Sequence, residues 1–391
     1  MTSVCFYFQV HQPMRLNKFS VFTKNSPYFD DNRNREYFER VSRKCYIPTN
    51  KILLDLINEF DGKFKIAFSL TGVFIEQCKK FAPEVLESFK ELAKTGNVEF
   101  LNETYYHSLA ALFSEKEFKE QTKLHKKAIK DLFGQNPKVF RNTEAMYSNN
   151  IARLVESFGY KGIITEGHES ILGWRSPNYL YTPNNCNNIS ALLRNYKLSD
   201  DIGFRFSAKW WEGYPLTADK YASWLSKCEG QCANIFIDYE TFGEHQWEDT
   251  GIFSFLKYLP SEVFKYSNLD FKTPSEIIKL NRPVGIIDVP NTISWADIQR
   301  DTSAWLENEM QKLAFEQMAG LEKYIKKNPE LMHIWRLLQT SDHFYYMCTK
   351  WFADGDVHKY FNPYNSPYDA FINYMNILQD LKLKLGLNED R

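Results

Sequence analysis

The segment Phe236-Ile-Asp-Tyr-Glu-Thr-Phe-Gly-Glu-His245 has the layout of a buried barrel strand that delivers an acid to a cleft. An apolar run, Ala233 to Ile237, ends in Asp238 and then in turn-forming and polar residues. A strand core holds a lone charge only at high cost, so a carboxylate belongs where the strand runs out, as at the rim of a parallel barrel. Lys138-Val-Phe-Arg-Asn-Thr-Glu144 repeats this design, with Arg141 beside the acid. Two acids on two strand ends form a pair of the kind that cleaves glycosidic bonds. Either acid taken alone also reads as an ordinary solvated strand end.

Outward from these two segments, short β-rich runs alternate with longer stretches of helical period. The candidate strands are Val4–Val10, Phe64–Ser69, Val98–Leu101, Val139–Asn142, Gly162–Thr165, Ile202–Phe206 and Asn234–Asp238. Between them lie the candidate helices Tyr37–Phe60, Pro83–Thr95, Glu115–Phe133, Asn149–Phe158 and Ala218–Cys228. This alternation predicts an α/β fold of parallel β/α units, and about seven of them suit a closed or nearly closed barrel. No Gly-x-Gly-x-x-Gly or P-loop follows any strand, which argues against a nucleotide site. After about residue 290 the pattern turns wholly helical, with Trp305, Met310, Leu313, Met318 and Leu321 at helical spacing. The expected organisation is a barrel domain over 1–290 and a helical domain over 291–391.

Bulk properties narrow the function. The 48 basic and 49 acidic side chains leave a formal charge of −1, so neither nucleic acid nor a membrane surface is an expected partner. No stretch approaches the roughly 20 apolar residues of a membrane-spanning helix. The N-terminal Met1-Thr-Ser-Val-Cys-Phe-Tyr-Phe-Gln-Val10 lacks a basic start and reads as a strand. Seven cysteines with no Cys-x-x-Cys pair fit reduced thiols and a cytoplasmic location. Aromatic residues reach 16%, and many stand among polar ones, including Trp210, Trp211 and Trp247; they suit stacking on sugar rings or plain core packing.

His11-Gln12-Pro13 sits where the first strand ends, and the X-Pro step holds the backbone extended there. A neutral imidazole at that rim can bind a sugar hydroxyl or serve structure. Glu99, in Gly96-Asn-Val-Glu99, is expected to point into the barrel mouth, where His11 and Arg141 could satisfy it. Gly167-His168-Glu169 and Glu244-His245 pair metal-ligand residue types, but no His-Glu-x-x-His spacing exists, so no metal and no cofactor is expected.

Taken in order, these segments resemble glycoside hydrolase family 57. His11-Gln-Pro13 is similar to the first region of that family, Gly96-Asn-Val-Glu99 to the second, Phe140-Arg-Asn-Thr-Glu144 to the third and Asp238-Tyr-Glu-Thr-Phe-Gly243 to the fourth. Ser294-Trp-Ala-Asp297, Asp301-Thr-Ser-Ala-Trp305 and Gln339-Thr-Ser-Asp342-His-Phe-Tyr345 are similar to its α-amylase-like branch, with Tyr345 where some members carry Trp. The resemblance implies a (β/α)7 barrel, an incomplete TIM-like form, followed by a helical domain that closes over the cleft. It implies retaining hydrolysis of α-1,4-glucans or malto-oligosaccharides, with Glu144 as nucleophile and Asp238 as acid/base. His11, Glu99, Arg141 and Asp342 would bind hydroxyls of the reacting sugar, and Trp210 or Trp211 would stack on a flanking ring. Tyr239 or Phe242 would line a less polar pocket around Asp238. The alternatives are 4-α-glucanotransfer through the same carboxylates, a metal-dependent deacetylase, and a non-catalytic glucan-binding protein.

Overall fold

The computed structural model describes residues 1–23, 26–350 and 362–387. Its strands are β1 (Thr2–Val10), β2 (Ile66–Leu70), β3 (Val98–Phe100), β4 (Val139–Arg141), β5 (Gly162–Glu166), β6 (Thr182–Pro183), β7 (Ser190–Arg194), β8 (Cys232–Asp238), β9 (Leu269–Phe271) and β10 (Ile286–Ile287). One parallel sheet runs β3-β2-β1-β8, with β9 also paired to β1, and a second runs β4-β5-β7. Two seams join them into a ring of seven strands, a (β/α)7 barrel. At the first, Asn102 receives and returns main-chain hydrogen bonds across β4, to Val139 O at 3.0 Å and from Arg141 N at 2.8 Å. At the second, Asn195 N donates to Asn234 O at 2.9 Å and side chains complete the joint: Asn234 donates to Leu193 O at 2.9 Å and Arg194 to Phe236 O at 2.7 Å.

The period of two along each strand explains where the polar groups go. Val4, Phe6, Phe8 and Val10 of β1 pack outward under the helices. The opposite parity fills the barrel with an apolar layer in which Tyr7, Ala67, Val139, Ile164, Leu192 and Phe236 come from six strands and Leu101 from the residue that follows β3. Two residues further along each chain the same inward parity carries Gln9, Ser69, Glu103, Arg141, Glu166, Arg194 and Asp238. A polar ring thus sits directly above the apolar layer at the C-terminal end of the barrel. Register holds it level: Gln9 pairs with Asp238 and with Ser69, and Glu166 with Arg194.

The outer helices follow their sequence signals. Glu115–Phe133, for example, starts where Ser114 accepts from Glu117 N and stops at Gly134, whose φ of 70° few other residues adopt readily. One predicted strand is corrected. Ile202–Phe206 is no strand, because Ile202 lies in the last turn of the helix Tyr196–Gly203 and packs in the outer core. The strand in that part of the barrel is β7, whose Ser-Ala-Leu-Leu-Arg composition carries little β preference.

Helices Ser303–Leu306, Glu309–Gly320, Met332–Leu337, Ser341–Tyr345 and Pro367–Lys384 enclose a core of their own around Trp305, Met318, Trp335, Phe344 and Ile377. Leu16, Leu109 and Met146, from segments after β1, β3 and β4, belong to the same cluster. The helices therefore pack on the rim that carries the polar ring.

Candidate active site

The turn after β4 presents Glu144. Ala145 N donates to Asn142 O at 2.9 Å and Met146 N to Thr143 O at 2.9 Å, closing a tight loop. Within it Glu144 adopts φ 55° and ψ 28°, a left-handed conformation that a side-chain-bearing residue reaches only at a cost. His107 (φ 49°), Ala145 (φ 50°), Asp297 (φ 57°) and Arg300 (φ 54°) are left-handed too, so backbone strain gathers around this cavity.

Three donors converge on the Glu144 carboxylate: His107 Nε2 at 3.3 Å and Ser341 Oγ at 2.9 Å on one oxygen, Trp295 Nε1 at 3.0 Å on the other. The other ring nitrogen of His107 donates to Glu103 Oε2 at 3.1 Å. Glu103 is itself fully buried and accepts from Ser69 Oγ at 2.8 Å and Gln9 Nε2 at 3.2 Å. Burial works against a charge on His107, but its bonds to the two glutamates outweigh it and raise the pKa to about 9. Burial likewise opposes ionised Glu144, yet His107 and then Arg141 pull its pKa down to about 2. Arg141 favours the ionised form of Glu144, with His107 as the stronger influence.

Asp238 shares the cavity with Glu144, His11, His107, Arg141 and Asp342. Its pKa rises to about 6, first through burial and then through the negative charge of Glu144, against the pull of Arg141 and His107. Neighbouring Glu240 rises to about 8 through burial and the charge of Asp238, and accepts from Tyr46 Oη at 2.5 Å. One carboxylate held ionised and another held near its protonated form are what general acid chemistry beside a nucleophile requires.

His11 bridges Thr71 Oγ1 at 2.9 Å and Asp342 Oδ2 at 3.1 Å, and stacks on His107 with centroids 4.1 Å apart. Burial and the charge of His107 lower its pKa, which favours the neutral ring. The proton then sits on Nε2, toward the carboxylate, while Thr71 donates to Nδ1. Arg141 is fully buried, lies 4.6 Å from the Trp295 ring centroid, and its three guanidinium nitrogens make no hydrogen bond among the described residues. A desolvated cation in that state is poised to bind substrate oxygens.

Several sequence expectations are corrected. Glu99 does not reach the mouth. It has the inward parity, but one step before the apolar layer rather than one step after it, and so lies at the other end of the barrel. There it accepts from Ser275 N at 2.9 Å and from the Ser275 hydroxyl. Glu103 occupies the place expected for it. Trp210 is 82% exposed and lines none of the catalytic cavity, and Trp211 packs on Trp224 with centroids 5.9 Å apart. Tyr239 and Phe242 turn away into the outer core against Phe8. The apolar surroundings of Asp238 come instead from Phe204, Ile237, Trp295 and Tyr345.

His107, Glu103, Trp295 and Ser341 were not singled out as site residues. His107 and Glu103 are four residues apart in the segment after β3, and the parity count from Leu101 leads to Glu103. Trp295 and Ser341 come from rim segments far along the chain. The loop carrying Trp295 is tied down by Arg300, which donates to Trp295 O at 2.7 Å and to Glu166 Oε2 at 2.6 Å. No group of three or more His, Cys, Asp or Glu able to hold a metal occurs among the described residues.

The seven-stranded β/α barrel carries the carboxylates Glu144 and Asp238 in one cavity at its C-terminal rim, an arrangement suited to a barrel glycoside hydrolase. Residues 5–290 match the family described as Glycosyl hydrolase family 57, and the chain belongs to it. It is 50% identical to a Methanocaldococcus jannaschii protein whose α-amylase name is provisional, over 97% of this chain and 84% of that one. It is 22% identical to the α-amylase of Pyrococcus horikoshii over 75% of this chain, spanning only 44% of that longer enzyme. Among solved structures, a branching enzyme from Thermococcus kodakaraensis superposes with a TM-score of 0.70 at 14% identity, covering 98% of this chain and 90% of that one. A 4-alpha-glucanotransferase from Thermococcus litoralis does so with a TM-score of 0.67 at 16% identity, covering 88% and 56%.

Proposed function

We propose that this protein hydrolyses α-1,4-glucosidic bonds of α-glucans and malto-oligosaccharides with retention, through a covalent glycosyl-enzyme on Glu144. The observation that carries the reading is the unequal pair in one cavity, with Glu144 held ionised by three donors and Asp238 pushed toward its protonated form. Glu144 attacks the anomeric carbon while the Asp238 proton passes to the departing oxygen. Asp238 then takes a proton from water, whose oxygen displaces Glu144. His107 neutralises the nucleophile's surroundings without taking its charge. His11, Asp342 and Arg141 hold hydroxyls of the reacting sugar. The division at residue 290 belongs to the same reading: Trp295, Ser341 and Asp342, all beyond it, reach the cavity, so the helical part closes over the cleft. A reducing, cytoplasmic setting fits the seven cysteines, all of them free thiols.

The test is the product ladder from maltoheptaose with the anomer read by NMR. Only shorter products, released first as the α-anomer, are expected. Longer products beside shorter ones would assign glycosyl transfer through the same intermediate, and a β-anomer would overturn retention.

The titrating pair also sets a pH profile. Glu144 must be ionised and Asp238 protonated, so kcat/KM should hold between about 2 and about 6 and then fall about tenfold per pH unit. Initial rates on a malto-oligosaccharide from pH 3 to 9 check this. A rate still flat at pH 8.5 would remove Asp238 as the proton donor.

A further inference from the structure

A cavity of about 850 Å³ opens on the far side of the turn that follows the catalytic acid. His245 of that turn lines the catalytic cavity, whereas Gly243 and Trp247, two residues to either side, line this second one. Its opposite wall starts at the π-helix Ser42–Tyr46, an irregularity often found at functional sites.

The floor is rigid. Gly243 has φ 104°, and a Cβ there would come within 2.0 Å of Lys44 O, so only glycine lets the turn press against the helix. Buried Glu244 pairs with Arg40 Nη2 at 3.0 Å and with Lys44 Nζ at 3.7 Å. The Lys44 ammonium in turn lies 5.2 Å from the Trp247 ring centroid, within cation–π reach of the indole. Trp247 nevertheless stays 53% exposed. A pre-positioned aromatic surface therefore faces a cleft of ligand size.

The remaining chemistry selects the ligand. Arg43, Lys51 and Lys257 face Asp55, Glu248 and Asp249 around this cavity. An anion would meet three carboxylates, and a cation four basic groups once Lys44 is included. A neutral polyol finds both donors and acceptors, and a pyranose ring offers an apolar face to the indole.

We propose that this cavity is a second, non-catalytic glucan site, in which a glucosyl unit stacks on Trp247. The inference rests on the glucan reading of the active site. A long chain held here keeps its other segments at high local concentration near the catalytic cavity, while a short oligosaccharide gains nothing.

Two measurements test it. Calorimetric titration of the Glu144→Gln variant with maltoheptaose should show two binding sites, and Glu144→Gln combined with Trp247→Ala should show one. In otherwise wild-type enzyme, Trp247→Ala should raise KM for glycogen about tenfold with kcat unchanged, and leave kcat/KM on maltotriose untouched. Trp247→Phe, which keeps an aromatic face, should restore most of the glycogen affinity. Enzyme that cleaves glycogen equally well with and without Trp247 would overturn the second site and leave the active-site reading standing. Loss of inorganic phosphate binding rather than maltoheptaose binding in Trp247→Ala would overturn it in favour of an anion site. Wild-type protein that neither binds nor cleaves maltoheptaose would overturn the glucan reading and this proposal together.

Discussion

Replacing Glu144 with Gln is expected to lower kcat on malto-oligosaccharides by about four orders of magnitude, with KM changed little. The amide keeps the shape of the side chain and an oxygen for Ser341 or His107, but it cannot form the glycosyl ester. Stability should change far less than activity, since the turn is fixed by its own main-chain bonds and by Trp295 N donating to Glu144 O at 3.2 Å. A chemical signature separates this role from a structural one. The smaller Glu144→Ala leaves space on the face opposite the leaving group, and azide entering there should restore turnover of an activated aryl α-glucoside. The product would be the β-glucosyl azide, with inverted configuration. A Glu144→Gln enzyme within tenfold of wild type, or azide without effect on Glu144→Ala, would take the nucleophile's role from this residue.

The sequence made one half of this site legible and hid the other for a physical reason. Asp238 and Glu144 were readable because an acid closing a β-rich run breaks the local pattern and demands an explanation. Ser69 and Gln9 do not break it. Each follows an apolar run within its strand, and only alignment of all seven strands shows them to be one ring. That alignment depends on register, which comes from pairing between strands distant in sequence. Glu99 shows the same limit. Its inward parity was correct, but parity does not say which end of the barrel a residue occupies, and the apolar layer through Leu101 lies between it and the mouth. Strand β7 was hidden because Ala191, Leu192 and Leu193 are good helix formers, and burial between neighbouring strands overrides that preference. Trp295 and Ser341 could be quoted as motifs, but their hydrogen bonds to Glu144 are set by how the helical part docks.

Asp238→Asn should cost about a thousandfold in kcat on glucans, within the range a positioned acid and base contribute. The loss should depend on the leaving group. An aryl α-glucoside with an acidic phenol departs without protonation, so glycosylation should stay within about tenfold of wild type and the glycosyl-enzyme should accumulate as a burst. Azide, a nucleophile that needs no base, should relieve that block and give the α-glucosyl azide, opposite in configuration to the Glu144→Ala product. On the proposed mechanism one carboxylate can serve both steps. The pKa of Asp238 is raised by burial and then by the charge of Glu144. When Glu144 becomes an ester that charge is gone, while Arg141 and His107 still pull the pKa down. In the proposed mechanism Asp238 would therefore be an acid facing the ionised nucleophile and a base facing the esterified one. The Glu144→Gln variant, which resembles the ester in charge, should titrate Asp238 at lower pH than wild type, measurable by the carboxyl carbon shift in 13C NMR. An unchanged or higher value would mean that burial alone holds the proton, and deacylation would then need another base.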